Sequence, residues 1–338
     1  MTLTPALLAD IWFWLIGVVL IIYVVLDGFD LGAGMLFLWT RDEEHRGAIL
    51  GGLGYTWHAN QTWLVVAGGL LFGAFPLVYG VVLSALYIPF GLLLLGLIFR
   101  GVSFEFREES HNQMAWNAAF GGGSLLAALA QGFILGGVLT GLPVSGGEYT
   151  GGIWSWVNPF TLLVSVGLAC GYVQLGTSYL LLKTGSEMHG YLRHQGAVAA
   201  FLTLFFALAA VIWSLYVTPR FLEQWFSWPG LLITSVPFVL ALLLFFVLLN
   251  TLRTGTSQAA PFIQAALIFL FAFISLGGSL FPVILPPQVT VYDAASPALT
   301  LKMMLAVIVP ILPVMLFYNA YQYKVFAGQA QAGYGESP

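Results

Sequence analysis

Of the 338 residues, 59% are hydrophobic, 15% aromatic and only 7% charged, with a net charge of −4 and a mean hydropathy of +0.93. A water-soluble chain carries about 25% charged residues to cover its surface, whereas helices facing hydrocarbon need almost none, so the composition excludes a soluble domain. The small net charge and the lack of any basic cluster exclude nucleic acid as a partner and leave membrane lipid as the surroundings.

A helix needs about 20 apolar residues to cross a hydrocarbon core of ~30 Å. On that rule the spans in chain order are 8–39, 49–74, 77–99, 115–138, 159–183, 195–217, 230–249, 261–285 and 301–326, which makes nine. The first segment has 32 residues, roughly 48 Å as one helix, so it tilts, projects from the membrane, or breaks near Gly28. Gly73-Ala74-Phe75-Pro76 is a turn between the second and third spans. The N-terminal stretch lacks a basic region, carries Asp10 and runs on into apolar sequence, so no removable signal peptide is expected. The longest connections, 139–158 and 286–300, hold turns or an interfacial helix. Residues 1–326 are therefore expected to be a single polytopic transmembrane domain, with 327–338 a disordered tail. The one cysteine, Cys170, lies in an apolar run and allows neither an intrachain disulfide nor a cysteine-ligated metal.

An odd number of spans puts the termini on opposite sides. Arg41, Arg46, Arg100, Arg107, Lys183, Arg193, Arg253 and Lys324 fall on one side, Arg220 and Lys302 on the other. By the positive-inside rule the N-terminus is outside and the C-terminus cytoplasmic.

Charged groups are costly in hydrocarbon, so those inside spans are candidates for function. Asp27 and Asp30 are three residues apart and share a helix face. His58 lies about as deep in the second span as Asp30 does in the first, so the two are expected to touch, with Asn60 and Gln61 as polar support. Such a set suits a proton relay, because carboxylate and imidazole exchange protons near neutral pH when burial adjusts them. The competing reading has Asp27 and Asp30 capping a helix break at Gly28, and His58 as a core histidine. Arg100, Glu105 and Arg107 mark the cytoplasmic exit of the third span, either as an interfacial charge cluster or as the mouth of a proton path. A six-coordinate haem needs two axial ligands, and His58 is the only histidine well inside a span, since His45, His111, His189 and His194 fall in loops or at helix ends. No haem or other metal ligation is expected from this chain. Most tryptophans sit near span ends as headgroup anchors, but Trp57 and Trp63 flank the polar stretch of span two.

Taken together, Asp-Gly-Phe-Asp-Leu-Gly-Ala-Gly at 27–34, Asn-Gln-Thr-Trp-Leu at 60–64, Phe-Pro-Leu-Val-Tyr at 75–79, Phe-Arg-Gly-Val-Ser-Phe-Glu-Phe-Arg at 99–107 and Tyr-Asp-Ala-Ala-Ser at 292–296 resemble subunit II of cytochrome bd-type quinol oxidases. The compact length and the Phe-Arg-Gly-Val stretch are most similar to the cyanide-insensitive branch. The resemblance implies an all-α integral membrane protein of two four-helix bundles plus one peripheral helix, paired in the bacterial cytoplasmic (inner) membrane with a haem-bearing subunit I. That partner is implied to hold haem b, haem d and the quinol site, while this chain ligates none. The complex takes electrons from quinol and protons from the cytoplasm to reduce O2 to water. By the same resemblance, Asp27, Asp30, His58 and Glu105 line a proton route with Asn60, Gln61 and Arg100 in support. Trp63 stands near an oxygen entry, a structural quinone binds within this chain, and a small single-helix accessory subunit joins the complex.

One position departs from the pattern. The family has Trp-Asp-Gly-Asn where this chain has Trp57-His58-Ala59-Asn60, so an imidazole replaces an acid on the implied route. A proton-coupled secondary transporter is the competing class, since paired intramembrane carboxylates mark those proteins too. A purely structural scaffold for the haem subunit is the third reading.

Overall fold

The computed structural model describes residues 3–54, 56–107, 110, 113–217 and 219–325. The chain is a set of long helices: α1 Pro5–Trp39, α2 Glu43–Leu53, α3 Trp57–Ala74, α4 Pro76–Ala85, α5 Tyr87–Phe106, α6 Gln113–Thr140, α7 Pro159–Lys183, α8 Ser186–Val217, α9 Pro219–Phe226, α10 Val236–Thr254, α11 Ala260–Leu280, α12 Val291–Ala294 and α13 Ala298–Val325. A π-helical turn, Leu231–Ser235, leads into α10. The expected tail at 327–338, residue 326 and His111 lie outside the described residues, as does the side chain of Arg220.

Among the described residues eight helices are long and apolar enough to cross a membrane, which makes this a multi-pass, all-α membrane protein. The ninth segment is α3, whose first two turns are polar. Helices α1, α3, α5 and α6 form one bundle and α7, α8, α10 and α11 the other, joined along α1 and α7. Helix α13 lies outside both against α1 and α3, with only Leu301, Ile308 and Asn319 buried.

Three sequence expectations are corrected. The first span does not break at Gly28, because α1 is continuous over 35 residues, so Asp27 and Asp30 do not cap a break. The single span at 49–74 is two helices, since Gly54 adopts φ 57° and ends α2 before α3 begins. The third span is also two pieces: α4 and α5 meet at Leu86, and α5 runs past 99 to Phe106.

The glycines of α1 set its distance from α7. A Cβ on Gly32 would lie 1.7 Å from the Tyr172 carbonyl oxygen, and one on Gly176 would lie 2.4 Å from the Ala33 nitrogen, so neither position holds any larger residue. Lipid supplies no hydrophobic drive between helices, and close backbone contact at small residues takes its place. Tyr172, Leu175 and Leu180 are fully buried along this seam.

At the end opposite the basic residues, the 292–296 motif ties loops rather than building a site. Thr290 and Asp293 cap α12, with the Thr290 hydroxyl and amide donating to Asp293 Oδ2 at 2.5 and 3.1 Å. Those donors hold the Asp293 carboxyl below the usual carboxylate range. The Ser296 amide and hydroxyl donate to the carbonyls of Ala74 and Gly73 at 2.9 and 2.7 Å, which fixes this loop over the α3–α4 turn.

Gly32→Val is expected to destabilise the α1–α7 seam by ~3 kcal/mol or more through overpacking, read as a lowered thermal unfolding midpoint of the purified protein. Gly122→Ala, where an added Cβ meets nothing within 4 Å, leaves the midpoint unchanged.

Candidate functional site

Among the described residues one ion cluster is buried, and four helices build it. Asp27 and Asp30 face inward from α1, one turn apart, at 1% and 0% exposure, and Arg100 of α5 reaches them at 2%. Arg100 Nη1 lies 3.3 Å from Asp27 Oδ1, and Nη2 lies 3.5 Å from Asp30 Oδ2. Asn60 of α3 donates from Nδ2 to Asp30 Oδ2 at 2.8 Å and to the Leu26 carbonyl at 3.4 Å. Tyr323 of α13 donates its hydroxyl to Asn60 Oδ1 at 2.7 Å. The Trp57 ring covers the guanidinium at 5.7 Å, a cation–π contact that replaces part of the lost hydration.

A second polar file approaches from α6 and α7. Tyr172 donates to Gln131 Oε1 at 2.5 Å, and Gln131 Nε2 donates to the Tyr23 hydroxyl at 2.8 Å. Tyr23 stands one turn before Asp27 and faces it. Asp30 Oδ1, Asp27 Oδ2 and Arg100 Nε are buried without a hydrogen-bond partner.

Two acids share one guanidinium. With both ionised the cluster carries a net −1, and with one protonated it is neutral, so it can hold one exchangeable proton while Arg100 keeps a partner. This is what a buried proton carrier requires.

The other candidates fall in different places. His58 does not touch Asp30: it is exposed and stacks on Trp57 with ring centroids 3.5 Å apart, and Asn60 takes the position beside the carboxylate. The helical repeat explains this, since His58 and Asn60 are two residues apart and point to different sides of α3. Gln61 is half-buried and its Nε2 is unpartnered. Trp63 is fully buried and packs with Val19, Tyr23 and Ala67. Glu105 is exposed and stands apart from the cluster. Arg107 donates to Asn117 Oδ1 at 2.6 Å and to Glu43 Oε2 at 3.0 Å, a surface arrangement. Arg100 is corrected from an interfacial charge to a buried one, because α5 continues through Phe106 and carries it inward.

Reading by span missed Tyr23, Gln131, Tyr172, Tyr179 and Tyr323. The available signal was a single hydrogen-bonding side chain in an otherwise apolar run, as Gln131 is in α6.

Removing one partner of a buried ion pair strands the other, at a cost of ~3–5 kcal/mol. Arg100→Met is therefore expected to lower the thermal unfolding midpoint sharply, and adding Asp27→Asn recovers part of the loss. Equal midpoints for the single and double variants would show that the carboxylates do not depend on Arg100.

Comparisons with known proteins identify the family. Residues 8–326 match the family model for cytochrome bd terminal oxidase subunit II. The cytochrome bd-I ubiquinol oxidase subunit 2 of Escherichia coli (strain K12) is 33% identical over 94% of this chain and 93% of its own length. The cytochrome bd ubiquinol oxidase subunit 2 of Bacillus subtilis (strain 168) is 28% identical over 95% of this chain and 96% of its own. In fold, the chain superposes on the bd oxidase from Geobacillus thermodenitrificans with a TM-score of 0.77 at 19% identity, covering 94% of this chain and 98% of that one. The chain belongs to the cytochrome bd terminal oxidase subunit II family.

Proposed function

We propose that this chain is the haem-free second subunit of a bd-type quinol oxidase and that its buried acid pair lies on the proton route to the oxygen-reducing centre. The observation that carries the reading is Asp27 and Asp30 sharing Arg100 inside a helix bundle at 0–2% exposure. A protein maintains two acids against one base in hydrocarbon at considerable cost, and proton transfer is what such an arrangement serves. A purely structural role would be met equally well by apolar packing.

Among the described residues the histidines do not fit a haem. Its most interior histidine by sequence, His58, lies on the outer surface against Trp57, His45 stacks on Tyr191, and His189 Nε2 is 3.2 Å from the Thr184 carbonyl. The haems of the complex therefore belong to the partner subunit, and no step here runs through them.

An exposed stripe on α3 supports a place for the partner there. His58, Thr62, Val65, Gly69 and Phe72 form one exposed stripe at helical spacing. Its polar end lies beside the turn that carries Asn60 to Asp30, within the membrane, where imidazole and hydroxyl do not face acyl chains. Subunit I covers this stripe, which puts His58 at the junction of the two subunits, behind Trp57 and Arg100. With the basic end cytoplasmic, as the positive-inside rule requires, protons enter past Tyr179 and Tyr323. A groove of about 350 Å³ between α1, α6, α7 and α8, lined by Met35, Leu125, Ala169, Val173 and Leu202 with Gln195 at its edge, suits the tail of a structural quinone.

Two measurements test this. The complex purified by a tag on this chain should show haem bands in a reduced-minus-oxidised spectrum and consume oxygen with quinol. Asp30→Asn should then cut oxygen uptake by about a hundredfold or more at unchanged haem content, the low end of what losing a proton-transfer group costs. Full uptake with normal haem content would leave the scaffold reading.

A further inference from the structure

Asn60 is a flippable amide beside the acid pair, and its surroundings decide which end faces Asp30. On one side stand two acceptors, Asp30 Oδ2 at 2.8 Å and the Leu26 carbonyl at 3.4 Å. On the other stands a single hydroxyl, that of Tyr323, at 2.7 Å from Oδ1. A carboxylate and a carbonyl cannot donate, so the NH2 must face them, and the oxygen is left toward the phenol, which can donate. Asn60 is 0% exposed, so no bulk water competes for either end. The phenol has little freedom of its own: its ring meets Phe29 edge-on at 6.5 Å, Phe29 in turn stacks on Tyr179 at 4.0 Å, and the Thr56 side chain adjoins both phenols.

We propose that Tyr323 is a positioning residue for Asp30: it locks the Asn60 amide so that its NH2 stabilises the ionised carboxylate, and thereby sets how readily Asp30 takes up a proton. The proposal rests on the reading of Asp30 as a proton carrier. It gives the outermost helix a specific task, because α13 contributes nothing else to the cluster. Each bond has a clear consequence. Without the phenol's donor, Oδ1 of Asn60 is a buried acceptor with no partner. The amide then loses its preference for one orientation, and in the flipped state it turns an oxygen toward a carboxylate. Asp30 Oδ1 already has no partner, so among the described residues Asn60 is the one neutral donor on this carboxyl, and with its NH2 facing the carboxyl it favours the charged form.

The other titratable and charged groups facing Asp30 are few. Asp27 lies on the same helix, Arg100 comes from α5 and Tyr179 from α7, whereas Tyr23 of α1 and Tyr172 of α7 face Asp27. Helix α3 presents Asn60 and α6 presents Gln131, neither of which titrates. Tyr323→Phe keeps all of these and the ring contacts, and removes one oxygen.

The experiment uses the whole quinol oxidase complex carrying Tyr323→Phe. Infrared difference spectroscopy should show more of the carboxylic C=O stretching band at a fixed neutral pH, and this gain should vanish in Tyr323→Phe with Asp30→Asn. The pH profile of quinol-driven oxygen uptake should be displaced from that of the parent, at unchanged haem content. An unchanged band and an unchanged profile overturn the proposal. Asn60→Leu, which removes the donor itself, should reproduce the band, and its failure to do so also overturns it. If Asp30→Asn alone leaves uptake intact, the proton-route reading falls, while the infrared band still decides whether Tyr323 controls Asp30.

Discussion

Two carboxylates and one guanidinium are buried together where the medium screens charge poorly, and most of the first bundle follows from keeping them there. At an effective dielectric constant near 20, a pair of unit charges about 4 Å apart interacts by ~4 kcal/mol, against ~1 kcal/mol in water. That attraction must offset dehydration of all three groups, so every neighbour is recruited: Trp57 over the guanidinium, Asn60 on Asp30, Tyr23 facing Asp27. The continuity of α1 is part of the same requirement. A break at Gly28 would release backbone groups into the site and point the two aspartates in different directions, whereas an unbroken helix keeps them on one face within reach of a single arginine.

The glycines around the acids are explained by this continuity. Gly28 and Gly32 look like breaks in a sequence of apolar residues, but in the structure they let α7 approach, with the Tyr172 ring against Gly28 and its carbonyl against Gly32. The close α7 backbone brings Tyr172 and Tyr179 to opposite ends of the cluster, and through Gln131 it adds α6. Packing and polarity are thus carried by the same short motif: aspartates point one way while glycines open the other.

What could be read from the sequence was whatever hydrocarbon forces on a chain locally. The apolar runs placed α1, α6, α7, α11 and α13 to within a few residues, and the acid pair stood out because charge inside a span needs a reason. What could not be read was set by contacts between distant segments. Arg100 adjoins a cytoplasmic-looking charge cluster, and only the extension of α5 to Phe106 and its packing reveal that it turns inward. His58 matched Asp30 in depth, but depth does not give azimuth, and the residue two positions on took the contact. The division of 49–74 was hidden because hydropathy averaging smooths over Gly54, where a positive φ ends α2. Tyr323 was out of reach, since its partner lies 263 residues away in sequence.

The replacement of an acid by His58 acquires a physical sense from where the side chain lies. An acid at position 58 would add a third negative group beside Trp57, next to a cluster that already holds two acids against one base. Imidazole there adds none, and its ring stacks on the same indole that covers the Arg100 guanidinium. The exposed stripe on α3 thus begins one ring away from the arginine that holds the acid pair. The support of the cluster and the exposed face of the helix are in this way set by one segment of α3, from Trp57 to Trp63.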